Sequence, residues 1–419
     1  ATDQGTLQLD RNMSAETHPE EPTPQVRLHS LDGLRATMML LGLVLHSACN
    51  YMDTPINDAW RFRDSQTSPV FSLLVGFIHA WRMPIFMFIA GFFGALLVEK
   101  RGLSQFYRHR LSRLGLPLIL FLPVMLPLTV SGFQFANIAQ QLGVEGAWKI
   151  IQESDWANFY SPFITIHLWF LYYLVIYSFL AYLMSPLSQM LPEEFRPSTS
   201  IARVIGIPGS SLLLSIPLGW ALVDSLLPGL LIPGVELIPE KASFLAYAFL
   251  YLCGWALWSR RDLLTHVATW PRIFFSLGLA TVLFMVWGSM LQNPEIFTSE
   301  MWRLRTSCVA GMVMWQAIWG FIGLFAKLTS KEIPGVRYFV DASYWIYLIH
   351  LPFTIWIPGY LANKDWGSFA KFGLTLTATT VIGLITYDLL VRSTVIGKLL
   401  SGQKYPRALL KALQNKPLT

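Results

Sequence analysis

Apolar stretches long enough to cross about 30 Å of hydrocarbon recur along the whole chain. They fall at Leu28–Tyr51, Val70–Val98, Leu114–Val130, Ile164–Ser185, Ile207–Leu227, Ser243–Trp258, Ile273–Leu291, Leu304–Ala326, Val340–Leu361 and Ala370–Val391. The pattern predicts an all-α integral membrane protein, a bundle of about ten transmembrane helices. The second window is too long for its task, since a straight helix over Val70–Val98 would rise about 43 Å. It is therefore expected to bend or break, and Pro84 in His79-Ala-Trp-Arg82-Met-Pro84 marks the place, because proline cannot donate to the carbonyl of Ala80.

Composition narrows the class further. Hydrophobic residues make up 53% and charged residues 13%, where a soluble domain carries roughly 25% charged, so an ordinary soluble enzyme is a poor fit. No Gly-rich phosphate loop, nucleic-acid module or Cys/His metal signature is present, and Cys49, Cys253 and Cys308 read as small core residues. Lys and Arg concentrate in the two tails and the even-numbered loops. The positive-inside rule then places both termini in the cytoplasm.

The densest basic loop, Glu99–Arg113, carries Lys100, Arg101, Arg108, Arg110 and Arg113. It reads as an anchor on anionic lipid and equally as a docking surface for a phosphorylated donor. Residues 1–27 are expected to form a disordered cytoplasmic tail, 28–392 the transmembrane domain, and 393–419 a basic tail with a short interfacial helix near Gly397–Gln414.

Candidate chemistry begins with Arg35 and His46 on the first span. Eleven residues of helix correspond to about 16 Å of rise and only ~20° of rotation, so the two share a face at different depths. Arginine within a spanning segment is costly enough to suggest a ligand or partner, and imidazole suggests proton chemistry. The plainer reading pairs Arg35 with Asp32 one turn earlier and leaves His46 a satisfied interfacial ring. Arg82, beside Pro84, is expected to face a cavity rather than lipid. His79 and His167 should lie at the depth of His46, forming a candidate site; a metal is a second reading, but no carboxylate stands at matching spacing. His350 lies mid-span in the ninth window, and Asp224 near the outer end of the fifth could hydrogen-bond a sugar or orient a histidine. Asp388 is a plausible partner for Arg35 or Arg82. Ile89-Ala-Gly91-Phe-Phe-Gly94 suggests close helix packing.

Taken in order, Leu31-Asp-Gly-Leu-Arg35 with His46, Phe77–Gly94, Arg108-His-Arg-Leu-Ser-Arg113, His167-Leu-Trp-Phe-Leu171 and Ser343–Pro352 resemble the membrane-bound acyltransferase-3 family. Within it the chain is most similar to a branch associated with succinylation of periplasmic glucans. The resemblance implies transfer of an acyl group, succinyl by closeness to that branch, from cytoplasmic acyl-CoA to a hydroxyl of a periplasmic glucan or polysaccharide. No cofactor would be permanently bound, since acyl-CoA, here succinyl-CoA, is a co-substrate. The resemblance matches His46 and Arg35 to the family's functional His and Arg and carries over Arg82 and the cytoplasmic basic residues; taken with the helix geometry, His46 and Arg82 are the catalytic candidates, and Arg35, Arg108, Arg110 and Arg113 the donor-binding ones. His79, His167, Asp224 and His350 would bind substrate or support the site. Two competing readings are an O-acetyltransferase acting on another extracytoplasmic polysaccharide or lipid-linked sugar and a glycan or metabolite transporter.

Overall fold

The computed structural model describes residues 24–54, 60–160, 164–328 and 334–407. Helices α1 (Pro24–Cys49), α2 (Pro69–Arg101), α3 (Leu103–Arg110), α4 (Leu116–Glu153), α5 (Trp169–Gln189), α6 (Pro197–Ile205) and α7 (Ser210–Ala221) form the first half. They are followed by α8 (Lys241–Leu257), α9 (Leu263–Val267), α10 (Trp270–Met290), α11 (Glu300–Leu328), α12 (Pro334–Leu361), α13 (Ser368–Thr386) and α14 (Val395–Ser401). Among the described residues the β pairing amounts to a single bridge between Ile164 and Glu236. The fold is that of an all-α membrane protein.

Every one of the ten apolar windows lies on helix for most of its length. Seven helical segments among the described residues are long and apolar enough to cross a membrane, and α1 and α12 are 26 and 28 residues long. The fifth window is the exception. It forms α7, whose 12 residues rise only about 18 Å. The chain reaches α7 through a turn at Gly209, whose φ of 78° only glycine adopts cheaply, and leaves it for the Pro228–Gly229 turn.

α2 is the central element: 83% of its apolar window is buried, against 22% for α10 and 33% for α13, which therefore lie at the periphery. It packs on α1, α8 and α11, while α12 packs on α1, α4 and α13. The α2–α8 contact is backbone on backbone. A Cβ at Gly91 would stand 2.8 Å from the carbonyl carbon of Tyr251, and one at Gly254 would stand 2.6 Å from that of Phe88. The small residues expected to allow close packing do so, as the absence of side-chain bulk lets two apolar helices approach.

Two expectations are corrected. The break foreseen at Pro84 is absent: α2 runs as one helix from Pro69 to Arg101 with Pro84 inside it, which neighbouring helices tolerate at membrane depth. The interruption falls instead in α4, at Gly143 (φ 79°, ψ 167°). The interfacial helix near the C-terminus is shorter than expected, because Gly402 ends α14 in the left-handed conformation, its N–H bonded to Lys398 O. At the other end α1 begins at Pro24, inside the segment expected to be tail, and the remainder of that tail, with residues 408–419, lies outside the described residues.

Candidate functional site

The last two turns of α1 bring His46 to the wall of a cavity of about 860 Å³, well within the range of ligand sites. His79 and Arg82 reach it from α2, and His167 from the turn that starts α5. The three imidazoles expected at one depth therefore line a single space. Its mouth, at the C-terminal end of α1, carries Arg61, Arg63, Gln134, Asn158 and Tyr160, all exposed. A second void of about 30 Å³ continues inward beneath His46, between Met38, Met39, Met83 and Phe86. It has room for about one water.

Each histidine is held by a definable contact. His79 Nε2 lies 2.6 Å from Leu231 O. His167 Nε2 is 3.2 Å from both Tyr347 O and Leu348 O, while its Nδ1 is buried without a partner. His350, 2% exposed, sets Nδ1 2.8 Å from Tyr347 O and Nε2 3.3 Å from His46 Nδ1. The His46 ring also packs 5.5 Å from Trp60, whose indole N–H donates to Asn50 Oδ1. Asn50 in turn donates to Thr354 O of α12. His167 follows Ile166, the one described non-glycine residue with positive φ (46°). That uncommon conformation is tied down by Thr165, whose N–H and hydroxyl both donate to Val235 O.

Arg82 is buried to 9% exposure, and its Nη1 donates to Met38 O at 3.5 Å, whereas Nε has no partner. Its seat is Gly42: a Cβ there would collide with Nη1 and stand 3.4 Å from Cζ. Arg82 has no carboxylate partner among the described residues. A buried guanidinium on the wall of a ligand-sized cavity has the charge and the free donors to meet an anion.

The remaining candidates separate. Arg35 lies outside the site, half-exposed, paired with Asp32 at 3.1 Å and over the ring of Phe93; neither cavity includes it among its walls. Arg110 donates to Ala90 O and lies over Phe106, with its Nε buried and unpartnered. Arg113 is occupied as a cap on α14, donating to Lys398 O at 3.0 Å and Leu399 O at 2.6 Å. Arg108 is exposed. Asp224 stands exposed in the turn after α7 and does not line the cavity, because α7 ends before bringing it there. Asp388, a residue expected opposite Arg35 or Arg82, pairs with Arg392 one turn on at 3.8 Å.

Gly42, Asn50, Trp60 and Tyr347 were not singled out from sequence. Their roles depend on packing between segments far apart in the chain, which periodicity does not report.

Comparison with known proteins follows the same direction. The family model described as "Acyltransferase domain" matches residues 28–388. The chain is 25% identical to Glucans biosynthesis protein C of Escherichia coli (strain K12) over 395 residues, covering 91% of this chain and 96% of the relative. It is 26% identical over 388 residues to the protein of that name from Salmonella paratyphi B (strain ATCC BAA-1250 / SPB7), with the same coverage. No solved structure matches.

Proposed function

We propose, from the premise that the chain belongs to this acyltransferase domain family, that it moves a succinyl group from cytoplasmic succinyl-CoA to a hydroxyl of a periplasmic glucan. The relatives' name supports the acceptor class, and the bundle supports a membrane enzyme with chemistry at the depth of His46. In this reading both termini lie in the cytoplasm and the wide mouth of the cavity faces outward.

The observation that carries the proposal is the joint placement of His46 and Arg82 on one cavity. Among the described residues His46 Nε2 makes no hydrogen bond, so it is available as the general base for an incoming hydroxyl. Arg82, short of acceptors, offers its guanidinium to the oxyanion that forms when the thioester carbonyl is attacked. Arg35 and Arg110, with Arg108 at the surface, supply positive charge for the phosphates of the donor on the inner side. To reach His46 from there the donor must part the packing of Met38, Met39 and Met83, and thioether chains rearrange readily.

The test is acyl transfer by purified protein in detergent, with labelled succinyl-CoA and a glucan acceptor analysed by mass spectrometry. A succinyl rather than an acetyl increment is expected, and His46→Ala should abolish it while the protein keeps its helical content and detergent-phase behaviour. Transfer unchanged in His46→Ala would remove the imidazole from the mechanism. Binding of the donor without turnover would favour a transporter.

A further inference from the structure

The four imidazoles of the site are distinguished by what each ring nitrogen faces. A backbone carbonyl can only accept, so the nitrogen set against it must carry the hydrogen. His350 Nδ1, 2.8 Å from Tyr347 O, is therefore the protonated nitrogen of its ring. In a neutral ring Nε2 then holds a lone pair, and that lone pair is what His46 Nδ1 meets at 3.3 Å. His46 must donate, its hydrogen sits on Nδ1, and its unbonded Nε2 is left with the lone pair. The reverse assignment needs a doubly protonated His350. That ring is 2% exposed, its partners are the backbone carbonyls of Tyr347 and Ile346 and the His46 ring, no carboxylate pairs with it among the described residues, and Arg82 is the nearby cation, so a second positive charge there would be buried uncompensated. His79 and His167 each turn Nε2 to carbonyls of other segments and take no part in this chain.

We infer that His350 is the positioning residue of the reaction: through the chain Tyr347 O, His350, His46 it fixes the base in the tautomer whose Nε2 can accept a proton. The inference rests on the acyl-transfer reading and deepens it. As the acceptor oxygen bonds to the thioester carbon, His46 Nε2 takes the hydroxyl proton. When the carbon–sulfur bond breaks, the same nitrogen returns that proton to the departing thiolate, giving ester and free thiol. Between the two events His46 is an imidazolium, and its Nδ1–H bond to His350 Nε2 spreads the charge over two rings. A carboxylate usually fills this role; here a second imidazole, oriented by a main-chain carbonyl within its own helix, does so.

Two substitutions test it. His350→Gln can place an amide oxygen near the position of Nε2 and accept from His46, whereas His350→Leu offers no acceptor. His350→Leu is expected to lower turnover by about 10²-fold or more, with the KM for succinyl-CoA within about threefold, and His350→Gln to recover most of that loss. Turnover in His350→Leu within threefold of the parent, or equal loss in both variants with thermal unfolding unchanged, overturns the assignment. Nitrogen NMR of protein labelled in the histidine rings reads the tautomer directly. A signal of the Nδ1-protonated form that vanishes in His46→Gln and shifts toward the Nε2-protonated form in His350→Leu supports the assignment even if no acceptor is acylated; an Nε2-protonated His46 in the parent overturns it. Failure of the parent to transfer any acyl group counts against the proposed function alone.

Discussion

Arg82 is buried with fewer acceptors than its five N–H donors can use. Burying a guanidinium at membrane depth with one carbonyl bond and no carboxylate carries a cost of several kcal/mol that a bound anion can offset. Its position also depends on Gly42, which leaves the space the guanidinium fills. Gly42→Ala is therefore expected to displace Arg82 by about an ångström and lower acyl transfer roughly 10²-fold, with little change in unfolding temperature. Kinetics and a thermal scan on the same sample check this, and full activity in the variant would show that Arg82 does not act from that seat. The sequence pointed to Arg82 because it lies far from either end of a long apolar run. It could not point to Gly42, since a glycine inside a helix says nothing of what rests on it. The His46–His350 contact joins residues 304 apart, and no pattern along one chain links positions so distant.

At the scale of elements, the apolar windows located the helices well because membrane depth demands internally satisfied backbone, which leaves helix as the natural reading of a long apolar run. Breaks were harder to place. Pro84 looked decisive and is accommodated, while Gly143, unremarked in sequence, takes a conformation no other residue adopts comfortably. One element junction was invisible in advance. Lys371 at the start of α13 and Asp64 in the connection between α1 and α2 form an ion pair with both side chains fully buried, Nζ lying 2.9 and 3.0 Å from the two carboxylate oxygens. The pair fastens the segment that carries Trp60 and Arg61 at the mouth of the cavity. Lys371→Met leaves a buried carboxylate without its counter-charge, held among the described residues only by the Gln66 N–H, and should cost about 3–5 kcal/mol, whereas adding Asp64→Leu should recover most of it. Unfolding in detergent measures both; equal destabilisation by the single and double variants would show that the pair contributes through something other than charge compensation.

For the molecule as a whole, the fold class could be read from composition and hydropathy. Rotation on an ideal helix fixes which side a residue faces but not what packs between, so Arg35 and His46 share a face in sequence while neither described cavity reaches Arg35. Arg35 sits beside Asp32 and Phe93, and the void beneath His46, walled by methionines and Phe86 with Arg82 and His350, measures only about 30 Å³. Reconstituted in vesicles without donor, the protein is expected to hold an imposed pH gradient as long as protein-free vesicles do. A fast donor-independent leak, followed with an entrapped pH dye, would contradict that.

The near-closed gap under His46 has a consequence for a cell that lives on its proton gradient. Two linked imidazoles at the end of a permanent water thread would be a short circuit. Thioether sulfur can accept a hydrogen bond, as Met39 Sδ does from Ser343, but neither it nor a phenyl ring can hold and hand on a proton, so under the proposed function such a filling would act as an airlock whose inner door opens only around the carrier.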